Sequence, residues 1–242
     1  MRVAGALIGL ALVPASAAAE VRTEPVSTPS LRISLAGDGP RLIGAARPGP
    51  VRLTFSGEKA AAVHVLELHP GYSAAEVGRD LTSMERAGRL VAGATVTPGR
   101  TYRTTIIAHA RDYLVVDADG GRATFTVAGH ATFAPVPRPD ALVKVRDGGF
   151  SAPAVLPRRG VIRVDNLARQ ARDATLLRIP HEISTRRAIT IVRRGRSTGL
   201  PTPLVGLVSP GTTNRVQADL RPGRYLLVSL TRPVTYRPLR VR

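Results

Sequence analysis

Short apolar–polar alternations closed by Pro and Gly recur along this chain. Pro48-Gly49-Pro50 leads into Val51-Arg52-Leu53-Thr54-Phe55, a period of two that predicts a strand with one buried face. Pro157-Arg158-Arg159-Gly160 leads likewise into Ile162-Arg163-Val164-Asp165-Asn166, and Val51 and Ile162 stand 111 residues apart. Val63-His64-Val65-Leu66-Glu67-Leu68 answers Ala174-Thr175-Leu176-Leu177-Arg178-Ile179, again at 111. Val96 to Arg103 answers Val208 to Arg215, and Asp112-Tyr113-Leu114-Val115-Val116 answers Arg224-Tyr225-Leu226-Leu227-Val228, both at 112. Four blocks in one order at nearly one offset indicate an internal duplication.

The two Tyr-led runs are continuously apolar, which suits central strands buried between two sheets. Residues 122–127 and 236–241 close the halves in the same way. One helix or helical turn is expected after Pro70-Gly71-Tyr72, where Ser73 and Glu76 have capping-box spacing; a long loop is the alternative. Pro135-Val136-Pro137-Arg138-Pro139 reads as a stiff, extended linker.

At the N-terminus, Arg2, an apolar run from Ala4 to Val13, and Ala15-Ser16-Ala17-Ala18-Ala19 have the form of a secretory signal peptide. Ten residues at ~1.5 Å each fall short of a ~30 Å hydrocarbon core. The expected division is therefore a signal peptide over 1–19, an extension over 20–30, one domain over 31–134, a linker over 135–140 and a second domain over 141–242. The expected location is extracellular or at the cell envelope, with no integral span after cleavage.

Among the 242 residues there is no Cys and no Trp. That excludes disulfides, thiolate nucleophiles and Cys-ligated metal centres. The charge is uneven. Residues 20–139 hold 13 Arg and 1 Lys against 11 carboxylates, a net +3, whereas residues 140–242 hold 19 Arg and 1 Lys against 6, a net +14. Such an excess attracts polyanions by steering and counterion release. Arg186 and Arg187 with Arg193, Arg194 and Arg196, in the second half's long excursion, are the candidate polyanion-binding residues. The partners they suggest are an anionic envelope polymer, an anionic lipid surface or a protein. Nucleic acid is disfavoured by export and by the scarcity of aromatic platforms.

The order of a Pro-rich turn, a Val-Arg-Leu strand, a His-bearing strand, a long excursion, a Pro-Gly turn, Gly or Asp before a Tyr-led strand and a closing strand resembles the cupredoxin-like β-sandwich. The tandem resembles two-domain exported proteins of actinobacteria. The fold this implies is all-β, two tandem Greek-key β-sandwiches. Immunoglobulin-like sandwiches share the alternation and the turns. The resemblance implies copper only where the ligands are kept, and a blue-copper centre needs a Cys thiolate about four residues after the strand Tyr. That position holds Asp117 in one half and Ser229 in the other, so type-1 copper is excluded. His64, His69 and Asp117, joined by His109 or His130, remain candidate ligands for Cu(II) through imidazole and carboxylate. No nucleophile elbow, HExxH or Walker loop is present. The expected function is thus a non-enzymatic binding or structural module without a cofactor, the alternative being a histidine-based metal-binding protein.

Overall fold

The structure is a computed structural model and describes residues 27–196, 201–231 and 233–242; the signal peptide expected over 1–19 and the extension over 20–26 lie outside the described residues. The first half contains β1 (Ser30–Ala36), β2 (Gly39–Gly44), β3 (Gly49–Gly57), β4 (Ala61–Leu68), helix α1 (Leu81–Ala87), β5 (Gly88–Val96), β6 (Tyr102–Ala108), β7 (Asp112–Asp117) and β8 (Arg122–Thr126). The second contains β9 (Ala141–Arg146), β10 (Gly149–Ser151), β11 (Val155–Leu156), β12 (Arg159–Asn166), β13 (Arg172–Ile179), helix α2 (Thr185–Arg193), β14 (Pro201–Val208), β15 (Thr213–Asp219), β16 (Gly223–Ser229) and β17 (Thr235–Val241).

In the first half β2-β1-β3-β6 faces β5-β4-β7-β8, and in the second β10-β9-β12-β15 faces β14-β13-β16-β17, with β11 added beside β17. The chain crosses between sheets after β3 and β12, β5 and β14, and β6 and β15 alike; the second half adds an excursion to β11 and back before β12. This is the all-β, two-sandwich architecture expected from the repeated blocks. Period-two burial builds each core. Leu31, Ile33, Leu53 and Phe55 meet Val63, Val65 and Val115 in the first, and Val143, Val145, Ile162 and Val164 meet Leu176 and Leu227 in the second. Each such side chain contributes about 1.5–3 kcal/mol when fully buried.

The Tyr-led strands are buried on both faces, but the second cover is helical. Tyr113 and Val115 face the opposing sheet, while Leu114 and Val116 pack with Met84 and Ala87 of α1. In the other half Tyr225 and Leu227 face inward, and Leu226 and Val228 lie under Ala188 and Val192 of α2. The first helix is split: Glu76 closes a 3-10 turn (Ala74–Glu76) by accepting from the Ser73 N–H and hydroxyl at 2.7 Å, and α1 starts only at Asp80, whose carboxylate accepts from Ser83 N at 2.9 Å. The second half's excursion also carries a helix. Ser184 caps it by accepting from Arg187 N at 3.2 Å, and the i, i+4 pair Ala188 and Val192 supplies its buried stripe.

The halves share more than a linker. Strand β6 pairs antiparallel with its counterpart β15, Thr105 opposite Arg215 and Thr104 opposite Val216, so the two front sheets form one eight-stranded sheet. Behind this seam β5 and β14 approach backbone to backbone at Gly93 and Gly206, where a Cβ on Gly206 would lie 2.5 Å from the Gly93 carbonyl carbon. Fully buried Asn214 donates to Val91 O at 3.1 Å, and Ser209 exchanges bonds with the Leu90 backbone at 2.9 and 3.0 Å. Tyr102 packs against both cores and donates its hydroxyl to Leu204 O.

Candidate anion-binding site

The histidine and aspartate candidates are not gathered. Asp117 is opposite Val63 on the core side of its sheet, and its Oδ1 accepts from the backbone N–H groups of Asp119 at 2.9 Å and Gly121 at 2.8 Å. That carboxylate holds a hairpin turn. One position along β4, His64 projects from the other face. Its Nδ1 is buried without a hydrogen-bond partner, and burial holds its pKa below the ordinary histidine value. His69 and His130 are exposed beyond the strands. Among the described residues no group of three or more His, Asp or Glu side chains is placed to hold a metal ion. Copper, which the cupredoxin resemblance implies, does not fit these donors: one is committed to a turn and the others lie on different surfaces.

His109 belongs to a cluster that sequence spacing did not reveal. Tyr113 is opposite Glu67, and Glu67 Oε2 accepts from Arg89 Nη2 at 3.0 Å and from the Tyr113 hydroxyl at 3.3 Å, while His109 Nδ1 lies 3.1 Å away. His109 N donates to that hydroxyl at 2.9 Å. Burial raises the Glu67 pKa, but hydrogen bonds and charge from His109 and Arg89 outweigh it and hold the carboxyl below its ordinary value. Burial also raises the Tyr113 pKa. The cluster neutralises itself.

The corresponding corner of the second half carries positive charge instead. Tyr225 is opposite Arg178, and its hydroxyl donates to Arg221 O at 2.7 Å, the same four-residue reach that links Tyr113 to His109. Arg178 stands where Glu67 stands, and Arg221 where His109 stands. Burial raises the Tyr225 pKa, opposed by the nearby charges of Arg178, Arg221 and Arg100. This corner opens into a cleft of about 710 Å³ with a floor that includes Tyr102, Leu204 and Val216. Arg100, Arg103, Arg178, Arg221 and Arg224 line it against the two carboxylates Glu182 and Asp219. Arg224 is structural, donating to the carbonyls of Pro180, His181 and Ile183 at 3.0–3.2 Å. Asp219 lies 3.4 Å from Arg159. The 111 and 112 offsets held the signal for this site, since they align Glu67 with Arg178 and His109 with Arg221.

From the cleft wall at Pro180-His181-Glu182 the chain passes directly into α2. Arg186, Arg187, Arg193, Arg194 and Arg196 are all exposed. Arg193 lies over the Tyr236 ring, 5.1 Å from its centroid, and donates to its hydroxyl at 2.5 Å, which fixes one guanidinium by cation–π and hydrogen-bond contact. None of the other four forms an ion pair among the described residues.

No protein-family model matches the chain, and no curated protein is similar to it in sequence. Among solved structures it is similar to a multicopper oxidase at 12% identity, over 88% of each chain, with a TM-score of 0.26. It is also similar to a Cu-containing nitrite reductase from Thermus scotoductus SA-01, at 13% identity over 90% of this chain and 68% of that one, TM-score 0.26. A copper nitrite reductase from Nitrosomonas europaea gives 8% identity over 89% and 94%, TM-score 0.26. None of these likenesses bears on the chemistry of this chain. Among the described residues no helix is long and apolar enough to cross a membrane.

Proposed function

We propose that this chain is an exported, non-catalytic binding module of the cell envelope that holds an anionic polymer through its basic second half. The observation that carries this is the continuity of the arginine-lined cleft at the Tyr225 corner with α2, whose exposed guanidinium groups have no carboxylate partners. A cleft with an apolar floor and a guanidinium rim suits a polymer whose charged groups are joined by less polar units, because Arg forks take phosphate or carboxylate oxygens in pairs. The histidine-based metal alternative draws no support from the separate positions of His64, His69 and Asp117.

The test is binding of the chain from residue 20 onward to a teichoic-acid-type polymer, anionic vesicles and DNA across a salt series. Binding to the polymer is expected, with log K falling linearly in log salt and a slope of roughly 0.7–0.9 per phosphate engaged. Reversing Arg193, Arg194 and Arg196 to Glu lowers both affinity and slope, and Arg221→Glu lowers affinity further. Unchanged binding to all three ligands in these variants eliminates the reading. Vesicle or DNA binding that exceeds polymer binding replaces the proposed partner.

A further inference from the structure

On the outer face of the eight-stranded sheet, away from both cores, one cross-strand row runs over the seam. Arg52 on β3 pairs with Thr105 on β6, Thr105 with Arg215 on β15, and Arg215 with Arg163 on β12. Three guanidinium side chains thus share one face of four adjacent strands, spanning roughly 14 Å at ~4.8 Å per strand. A groove of about 420 Å³ lies over this row, lined by Arg52, Arg103, Thr105, Arg215 and Gln217, with Pro137 from the stretch between the sandwiches.

Like charges directly opposite on neighbouring strands are destabilising, and Arg163 with Arg215 is such a pair. The carboxylate within the row's own strand is already committed: Asp165 Oδ1 accepts from Arg163 Nε and from the Thr213 hydroxyl, both at 2.8 Å. Arg215 Nε is buried with no hydrogen-bond partner. Its pKa is pulled down first by burial and then by the Arg163 charge. A buried donor without a partner costs free energy until an acceptor arrives. Arginines on an exposed helix are satisfied by water; the Nε of Arg215 is shielded from it.

We propose that this groove is a second anion site, separate from α2 and adjoining the Tyr225 cleft, with which it shares Arg103 and Gln217, built from Arg52, Arg103 and Arg215 and taking a compact phosphate group with two or more charges. Each half contributes part of it, Arg52 and Arg103 from the first and Arg215 and Gln217 from the second. The anion therefore ties the halves together across their shared strand pair. The phosphate group is either free or carried by a polymer.

Calorimetric titration and thermal melting with inorganic pyrophosphate, and separately with long-chain polyphosphate, test this on the chain from residue 20 onward. Pyrophosphate is expected to raise the melting temperature by about 3 °C or more at saturation. Arg52→Met and Arg215→Met each weaken binding by about tenfold or more, while Arg41→Gln, on the distant β1–β2 hairpin, does not. Arg215→Met also melts higher than the unaltered protein when no anion is present, because it removes the repulsion with Arg163 and the unpaired Nε; far-UV circular dichroism checks that it folds. If only polyphosphate binding responds to these variants, the site stands and the polymer is its source. Pyrophosphate and polyphosphate that bind the Arg52→Met/Arg215→Met double variant as tightly as the unaltered protein, or that fail to bind the unaltered protein, overturn the proposal. Loss of polymer binding on reversing Arg193, Arg194 and Arg196, with pyrophosphate binding intact, concerns the helix alone, so the two proposals fail separately.

Discussion

The two tyrosine corners are the same backbone device with opposite electrostatics. At Tyr113 a carboxylate, a guanidinium and an imidazole close on one another, and little charge is left for a ligand. At Tyr225 the carboxylate and imidazole positions have both become arginine, and the corner faces a cleft instead of closing. Duplication kept what the sandwich needs, an aromatic ring in the core and a hydroxyl bonded to the carbonyl four residues back. It left the rim free to diverge. The first corner closes on its own charges, whereas the second, with Arg178 also donating to Pro222 O at 3.3 Å, turns a net positive rim toward the cleft.

The largest expected effect concerns the seam that carries both corners. Gly206→Val drives a side chain into the Gly93 backbone, where the first added carbon already sits 2.5 Å from a carbonyl carbon. Chemical denaturation should show a loss of about 3 kcal/mol or more. One cooperative transition is expected to persist, since the halves share a sheet; two separate transitions would mean that the corners sit on independent bodies and cannot be compared as parts of one. Next in size is the contrast between the corners themselves. Glu67→Ala leaves Arg89 and His109 without their shared carboxylate and is expected to cost about 1–3 kcal/mol, whereas Arg221→Ala, an exposed side chain whose structural contact is its backbone carbonyl, is expected to stay within about 0.5 kcal/mol. Equal losses would erase the distinction.

The smallest effect is the shape of the acid limb. A depressed carboxyl pKa contributes stability that is complete above the ordinary glutamate value of 4.5 and is lost as pH falls below it. His64, also depressed, by burial, contributes stability above the ordinary histidine value of 6.5 that is lost as pH falls beneath it. Both groups belong to the first half; Arg178 and Thr175 stand at their positions in the second. Denaturation from pH 7 to 3 should therefore show His64→Thr flattening the decline between 6.5 and 4.5 and Glu67→Gln flattening it below 4.5. An unchanged profile in both variants would place the acid sensitivity elsewhere.

Much of the fold was legible because burial on a sheet has a period of two and turns need Pro and Gly. Val51, Ile162 and the Tyr-led runs indicated strands without any knowledge of their neighbours. Helix α2 was harder to read. Arg186, Arg187, Arg193 and Arg194 dominate its sequence, and the two residues that fix it, Ala188 and Val192, are small and widely spaced. They identify a helix only once Leu226 and Val228 are seen to need a cover. The candidate site was partly legible: the basic run was visible as charge, but Arg100, Arg103 and Arg221 are isolated in sequence and converge only around Tyr225. His64 and Asp117 misdirect for a related reason. Proximity along a chain says nothing about the face from which a side chain leaves a strand, and Asp117 had a turn to hold.

By itself the sequence determined the repeated strands, the absence of any thiolate and the concentration of positive charge in the second half, because these depend on residue type and local period. Only the tertiary structure decided that β6 and β15 join the two front sheets, that Glu67 is enclosed while Arg178 lines an open cleft, and that Arg52, Arg163 and Arg215 fall in one row. Those outcomes depend on strand register across distances of 50 to 110 residues, and a register is set by the packing of whole sheets rather than by any local stretch of chain.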